Sequence, residues 1–179
     1  MKKVIVVCIA LLPLLGISQS IFDKYEDMDN VGSVIINKGL INLLSSIDID
    51  KGDQEAKDFM EMAKGIEGIR VFITEDKGVS ENMKSTVGQY KKSASLEELM
   101  RVKDKDTHVR FYVKNGRRDS QVKELLMFVS GIQDTDIDIH GRKFESVLVS
   151  LTGDIDLNKI GALTKKMNLP KELEKAGER

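Results

Sequence analysis

Four carboxylates in one short segment have a spacing that could bind a cation: Asp134, Asp136, Asp138 and Glu145. They occupy positions 1, 3, 5 and 12 of the segment 134–145, the spacing with which a calcium-binding loop surrounds its cation with oxygens. Position 6 of such a loop turns sharply and is normally glycine, but here it is Ile139. The same segment can instead form a polar loop whose aspartates face water, and Ile139 favours that interpretation. The sequence therefore predicts no cofactor, with calcium at 134–145 as the alternative.

Other catalytic or metal-binding patterns find little support in the sequence. The two histidines, His108 and His140, stand far apart, and the single cysteine is Cys8, so no zinc-ligand set appears. Neither a nucleophile-elbow motif nor a phosphate-binding glycine-rich loop is present. Arg117 and Arg118 follow a turn signal and could meet an anion, although such pairs are usually solvated loop tips. A formal net charge of −1 gives no indication of nucleic-acid binding.

The first twenty residues have the layout of a secretory signal peptide. Lys2 and Lys3 precede an apolar run at 4–15, and small residues then allow cleavage after Ser18 or after Ser20. The run is too short for a membrane span, which needs about 20 apolar residues. Cys8 lies inside the run and is not placed as a lipid-anchor cysteine. The sequence thus predicts a cleaved signal at 1–20, a mature chain without a transmembrane segment or lipid anchor, and a location in the periplasm or at the cell surface.

Strand patterns dominate the mature chain. Residues 33–37 are β-branched, but they could form either a short strand or a first helical turn. A capping box at Ser95 and Glu98 also allows a helix at 96–101, although the alternation of Met100 and Val102 with charged residues favours a strand. Asn115-Gly116 predicts a hairpin, since both residues tolerate positive φ. The clearest strand patterns lie at 66–74, 96–104, 107–114, 122–131 and 144–153.

Three further segments have helical periodicity. The first is capped by Asp53 and ends at Gly65, the second is capped by Ser80, and the last is capped by Asp156 or Asn158. Their inward positions are Ala56, Phe59, Met60 and Ala63; Met83, Val87 and Tyr90; and Ile160, Leu163 and Met167. We expect a single α+β domain at 21–179: an antiparallel sheet of about five strands with helices packed on one face, and a charged tail from about 170 to 179.

Segments along nearly the whole mature chain resemble a domain-of-unknown-function family, DUF4252, of exported proteins from Gram-negative bacteria. They read FDKYEDMDNVGSVIINKGLINLL, IEGIRVFITED, LEELMRVKDKDTHVRFYVK, VKELLMF and SVLVSLTGDIDLNKI. The resemblance implies an envelope location and favours a strand for LEELMRV. It supplies no catalytic residues, because no activity is established for the family.

These observations favour an exported envelope protein that is not an enzyme and binds another protein or a small ligand. A calcium-dependent structural or adhesive module using Asp134, Asp136, Asp138 and Glu145 is one alternative. A hydrolase without a recognisable motif is the other.

Overall fold

A computed structural model describes residues 21–45, 63–118, 120–132 and 143–157. Within those ranges six strands form one antiparallel sheet in the order β1-β2-β6-β5-β4-β3. The strands are β1 (Val31–Asn37), β2 (Ile66–Thr74), β3 (Glu97–Asp104), β4 (Thr107–Asn115), β5 (Gln121–Ser130) and β6 (Ser146–Asp156). The helices are α1 (Lys38–Ser45), α2 (Lys77–Ser93) and a short 3-10 helix at Asp23–Tyr25.

Several predictions fall outside the described residues. They are the signal peptide at 1–20, the helix from Asp53 apart from residues 63–65, the segment 133–142, and the last helix with the charged tail.

Strands β5 and β6 lie side by side in the middle of the sheet because both carry apolar side chains on both faces. Leu126 and Leu148 are fully buried on one face, while Leu125 and Leu151 are buried on the other. The strand predicted at 122–131 is thereby confirmed as β5.

The sheet separates two hydrophobic cores. On the α2 face, Met83 and Val87 of the helix pack with strand residues and with the 3-10 helix. The buried members there are Phe22, Tyr25, Phe72, Met83, Val87, Leu96, Tyr112, Leu126, Phe128 and Leu148. On the α1 face, Ile41 packs against the other side of the strands. The buried members there are Ile41, Ile66, Val113, Val122, Leu125, Met127, Val149, Leu151 and Ile155.

The expected α+β class and antiparallel sheet are confirmed, with two differences. The sheet has six strands within the described residues rather than about five, because the ambiguous segment around 33–37 is strand β1. The helices do not share one face, since α2 and α1 pack on opposite sides of the sheet. Apolar side chains on both faces of the central strands require cover on both sides, which explains the second difference.

Local capping also differs from the prediction for α2. Its N-cap is Asp76, whose side chain accepts a hydrogen bond from Val79 N at 3.0 Å. Ser80 lies within the first turn and is buried. An aspartate just before a helix is as good a cap as serine, and it places the helix start one turn earlier.

The structure also decides between helix and strand at 96–104 and shows the turn at Asn115-Gly116. Residues 96–104 contain strand β3, and Ser95 adopts a positive φ of 55° instead of capping a helix. The hairpin at Asn115-Gly116 forms, but neither residue has a positive φ. The turn is longer than two residues, and Gly116 N closes it by donating to Gln121 O at 2.8 Å.

Candidate functional site

The calcium prediction rests mainly on residues outside the described ranges, because Asp134, Asp136 and Asp138 all lie there. Glu145 is described, just before β6. Its backbone N–H donates to Thr74 O at 2.8 Å, and its carbonyl accepts from Gly131 N at 2.9 Å. Its main chain thus bridges the end of β2 and the residue that follows β5, next to the start of β6. Across the described parts of the chain, no group of three or more histidine or carboxylate side chains is arranged to hold a metal ion.

The predicted solvated arginine pair lies in the exposed β4–β5 turn. Arg117 is exposed, and Arg118 Nε donates to the side chain of Gln121 at 3.0 Å. His108 lies on β4, opposite Lys103 of β3. The fold does not bring His108 near the arginine pair.

A buried carboxyl lies under the helix on the α2 face. Glu124 of β5 is only 7% exposed and accepts a hydrogen bond of 2.9 Å from the Tyr90 hydroxyl. Burial raises the pKa of Glu124 above its ordinary value, although the Tyr90 hydrogen bond and the charge of Lys114 oppose this shift. Burial and then the nearby Glu124 charge raise the pKa of Tyr90. Sequence periodicity did not distinguish this glutamate from the many exposed acidic residues.

A carboxyl with a raised pKa is a general-acid candidate only if a substrate can reach it. Tyr90 covers Glu124, and Phe22 packs edge-on against the Tyr90 ring at 5.0 Å between centroids. The geometry therefore supports a structural role for the pair, in which Tyr90 fixes α2 on the sheet.

Among the described residues, edge strand β1 forms a surface unlike an ordinary solvated exterior. Its sequence, VGSVIIN, contains no charged residue. Val34 is 52% exposed and Ile35 is 45% exposed, and they project from opposite faces of the strand. The edge is therefore apolar on both sides.

Helix α1 extends this apolar surface. It begins directly after β1, where the Asn37 side chain accepts from Leu40 N at 3.1 Å. Ile41 points into the core, whereas Leu40 is 42% exposed and Leu43 is 63% exposed. We call the exposed set Val34, Ile35, Leu40 and Leu43 the β1 edge surface.

The opposite edge of the sheet has a different character. Strand β3 reads EELMRVKD, so charged side chains interrupt its apolar residues. Natural sheets commonly protect an edge against pairing with other chains in this way. Strand β1 has no such protection. The uncharged run was visible in the sequence, but its position at an edge was not.

Within the described residues, no helix is long and apolar enough to cross a membrane.

No curated protein and no solved structure matches the chain. The model of the family described as Domain of unknown function (DUF4252) matches residues 25–163, which include strands β1 to β6, helices α1 and α2 and the β1 edge surface. The chain belongs to the DUF4252 family.

Proposed function

We propose that this protein is an exported, non-enzymatic binding module that takes up an extended strand of a partner protein along β1. The observation that carries the proposal is the uncharged edge strand with Val34 and Ile35 exposed on its two faces. Adding a strand to a sheet edge is a common mode of protein recognition, in which main-chain hydrogen bonds give affinity and side chains give specificity.

The energetics favour such an addition. The outer N–H and C=O groups of an edge strand have no partner strand within the sheet and can pair with an added one. Full burial of a large aliphatic side chain contributes roughly 1.5–3 kcal/mol. Val34 and Ile35 are about half exposed, so completing their burial would contribute roughly 1 kcal/mol each. The exposed leucines of α1 would add apolar contact beside the strand.

The ends of β1 indicate which partner segment fits. Asp29 precedes the strand by two residues, and Lys38 follows it directly. A partner strand that is uncharged in its centre, with a basic residue near Asp29 and an acidic residue near Lys38, would complement both ends. An antiparallel second copy of β1 has this character, as would a segment of another envelope protein with the same pattern.

The sequence of the first twenty residues supports the same proposal. The charged start, the short apolar run and the small residues at 16–20 have the layout of a signal peptide. Partners would then be other proteins of the envelope.

Site-specific photocrosslinking in intact cells of the native host tests the proposal. A photoreactive p-benzoylphenylalanine is placed at position 35 in one variant and at position 99, on the charged edge β3, in the control. Leu99 is a suitable control because it is 43% exposed, close to the exposure of Ile35. We expect a discrete adduct from position 35 but not from position 99, and loss of that adduct in Val34→Lys. Equal adducts from both positions, or none from position 35, would contradict the proposal. Mass spectrometry of the adduct distinguishes a second copy from another protein.

A further inference from the structure

Two pairs of basic side chains face each other across β3 and β4. Arg101 lies directly opposite Arg110, and Lys103 lies directly opposite His108. Side chains in such positions share one face of the sheet about 4.5–5.5 Å apart at Cβ, where like charges are destabilising. Glu98 offsets part of this charge, since Arg101 donates to it at 2.9 Å. Basic groups still outnumber carboxylates on this part of the α2 face.

A small cavity of about 110 Å³ adjoins these pairs, between α2 and strands β4 and β5. Buried Tyr112 and Phe128 form part of its lining and exclude water from that side. A low-dielectric wall strengthens the interaction of a bound ion with nearby charges. Besides Tyr112, the polar side chains that line the cavity are Lys84, His108, Arg110 and Ser130. All four can donate hydrogen bonds, and none is a carboxylate.

Gly88 of α2 keeps the cavity open. A Cβ at this position would meet no atom within 4 Å, so packing among the described residues does not require glycine here. Glycine inside a helix is less favourable than alanine. Gly88 nevertheless lines the cavity, and a larger side chain there would project into that space. A ligand that occupies this space would explain why the helix has glycine at this position.

We propose that the cavity between α2 and strands β4 and β5 binds a phosphate group, held by Arg110, Lys84 and the Ser130 hydroxyl. The guanidinium of Arg110 offers a planar pair of donors that matches the oxygens of an oxyanion. Donors from a helix and from two strands approach from different directions, which suits a tetrahedral group better than a planar carboxylate. The volume accommodates one such group, and the rest of the ligand would extend over Arg101 and Lys103.

Lys84 must reorient to take part. Its Nζ lies 3.2 Å from Glu81 Oε1, and this exposed pair is one turn apart on α2. Exposed ion pairs contribute little to stability, so exchanging Glu81 for phosphate as the partner of Lys84 costs little.

Thermal unfolding of the purified protein in phosphate, against chloride at equal ionic strength, tests the site. With phosphate about tenfold above its dissociation constant, we expect the melting temperature to rise by about 3–5 °C. Arg110→Gln should lower phosphate affinity about 10-fold or more, because it removes a charge-assisted hydrogen bond. Arg117→Gln, in the exposed β4–β5 turn, is the matched control and should keep the full shift. No shift in the native protein, or equal shifts with Arg110→Gln and Arg117→Gln, would overturn the proposal.

Gly88 variants separate binding from folding. Gly88→Ala should raise the melting temperature by about 2–4 °C in chloride, because it removes a helix-interior glycine. Gly88→Leu should fold but lose the phosphate shift, because its side chain fills the cavity without changing any charge. Retention of the full shift in folded Gly88→Leu would place phosphate elsewhere and contradict the site.

A second measurement distinguishes a phosphate on a lipid headgroup from a phosphate on a soluble ligand. The protein is sedimented with vesicles of phosphatidylcholine containing phosphatidic acid, and with pure phosphatidylcholine as a control. Binding to the acidic vesicles that Arg110→Gln abolishes identifies a lipid headgroup. A shift with inorganic phosphate but no sedimentation identifies a soluble ligand, and both results support the site.

Discussion

The Tyr90 hydroxyl of α2 donates a hydrogen bond of 2.9 Å to Oε2 of Glu124 on β5, and this contact ties the helix to the sheet. Glu124 is buried, so the hydrogen bond compensates part of the cost of removing its carboxyl from water. Tyr90→Phe removes this donor, so the buried carboxyl of Glu124 loses its hydrogen bond from the helix. We expect a loss of about 1–3 kcal/mol in the free energy of unfolding, measured by chemical denaturation. An unchanged midpoint would contradict the importance of this contact.

The same pair predicts a pH dependence of stability. The fold raises the pKa of Glu124, so the folded state holds this proton at pH values where the unfolded chain has released it. Its contribution to the free energy of unfolding is therefore fully present below about pH 4.5 and is lost as the pH rises through the folded-state pKa. Glu124→Gln should lack this decline. Glu67→Gln, at an exposed position on β2, is the control and should follow the native curve.

Adjacent residues of β2 should differ in their contribution to stability. Phe72 is fully buried on the α2 face, 5.8 Å from the Tyr25 ring between centroids. Ile73 projects from the other face and lines an open depression beside β1. Phe72→Ala should cost about 3–5 kcal/mol, and Ile73→Ala about 1–2 kcal/mol, since less apolar surface is lost there. Equal losses in denaturant unfolding would contradict this assignment of faces.

A close backbone approach requires glycine at position 153. Gly153 of β6 has a φ of +140°, and a Cβ there would lie 2.2 Å from Gly65 O. Gly153→Ala should therefore destabilise the protein by about 1–3 kcal/mol or more. Gly32→Ala on β1 is the matched strand control, because its Cβ would approach Ile73 O only to 3.8 Å. We expect its stability to change by less than about 0.5 kcal/mol. Similar unfolding midpoints for the two variants would contradict this explanation.

Export can be checked on the native protein. If the signal interpretation is right, N-terminal sequencing should begin at Gln19 or at Ile21, according to which cleavage site is used. Recovery of a chain that retains the apolar run at 4–15 would contradict both the location and the cleavage.

The calcium loop remains a prediction with a direct test. A cation that relieves repulsion between Asp134, Asp136 and Asp138 would stabilise the fold by about 2.7 kcal/mol at a hundredfold excess over its dissociation constant. That gain would raise the melting temperature by roughly 5–10 °C. Because Ile139 replaces the usual glycine, we expect only a small, unspecific shift in millimolar calcium against chelator. A shift of several degrees that disappears in Asp136→Asn would instead establish the calcium module.

Features that depend on neighbouring residues could be predicted from the sequence. Apolar runs with residues alternating between two faces predicted β2, β4, β5 and β6, and the same alternation correctly favoured a strand for β3 over the helix that Ser95 and Glu98 allowed. These predictions succeed because the two-residue period of a strand is a local property of the chain.

The tertiary structure, rather than any local pattern, sets which strands become neighbours. It places β6 between β2 and β5, leaves β1 at one edge of the sheet formed by the described residues, and sets Arg101 opposite Arg110 on β3 and β4. It also buries Glu124 beneath Tyr90, although that glutamate looks like any other acidic residue in the sequence. Strand order and burial depend on which distant surfaces pack together. The periodicity of apolar residues is a local pattern, so it does not reveal either of them.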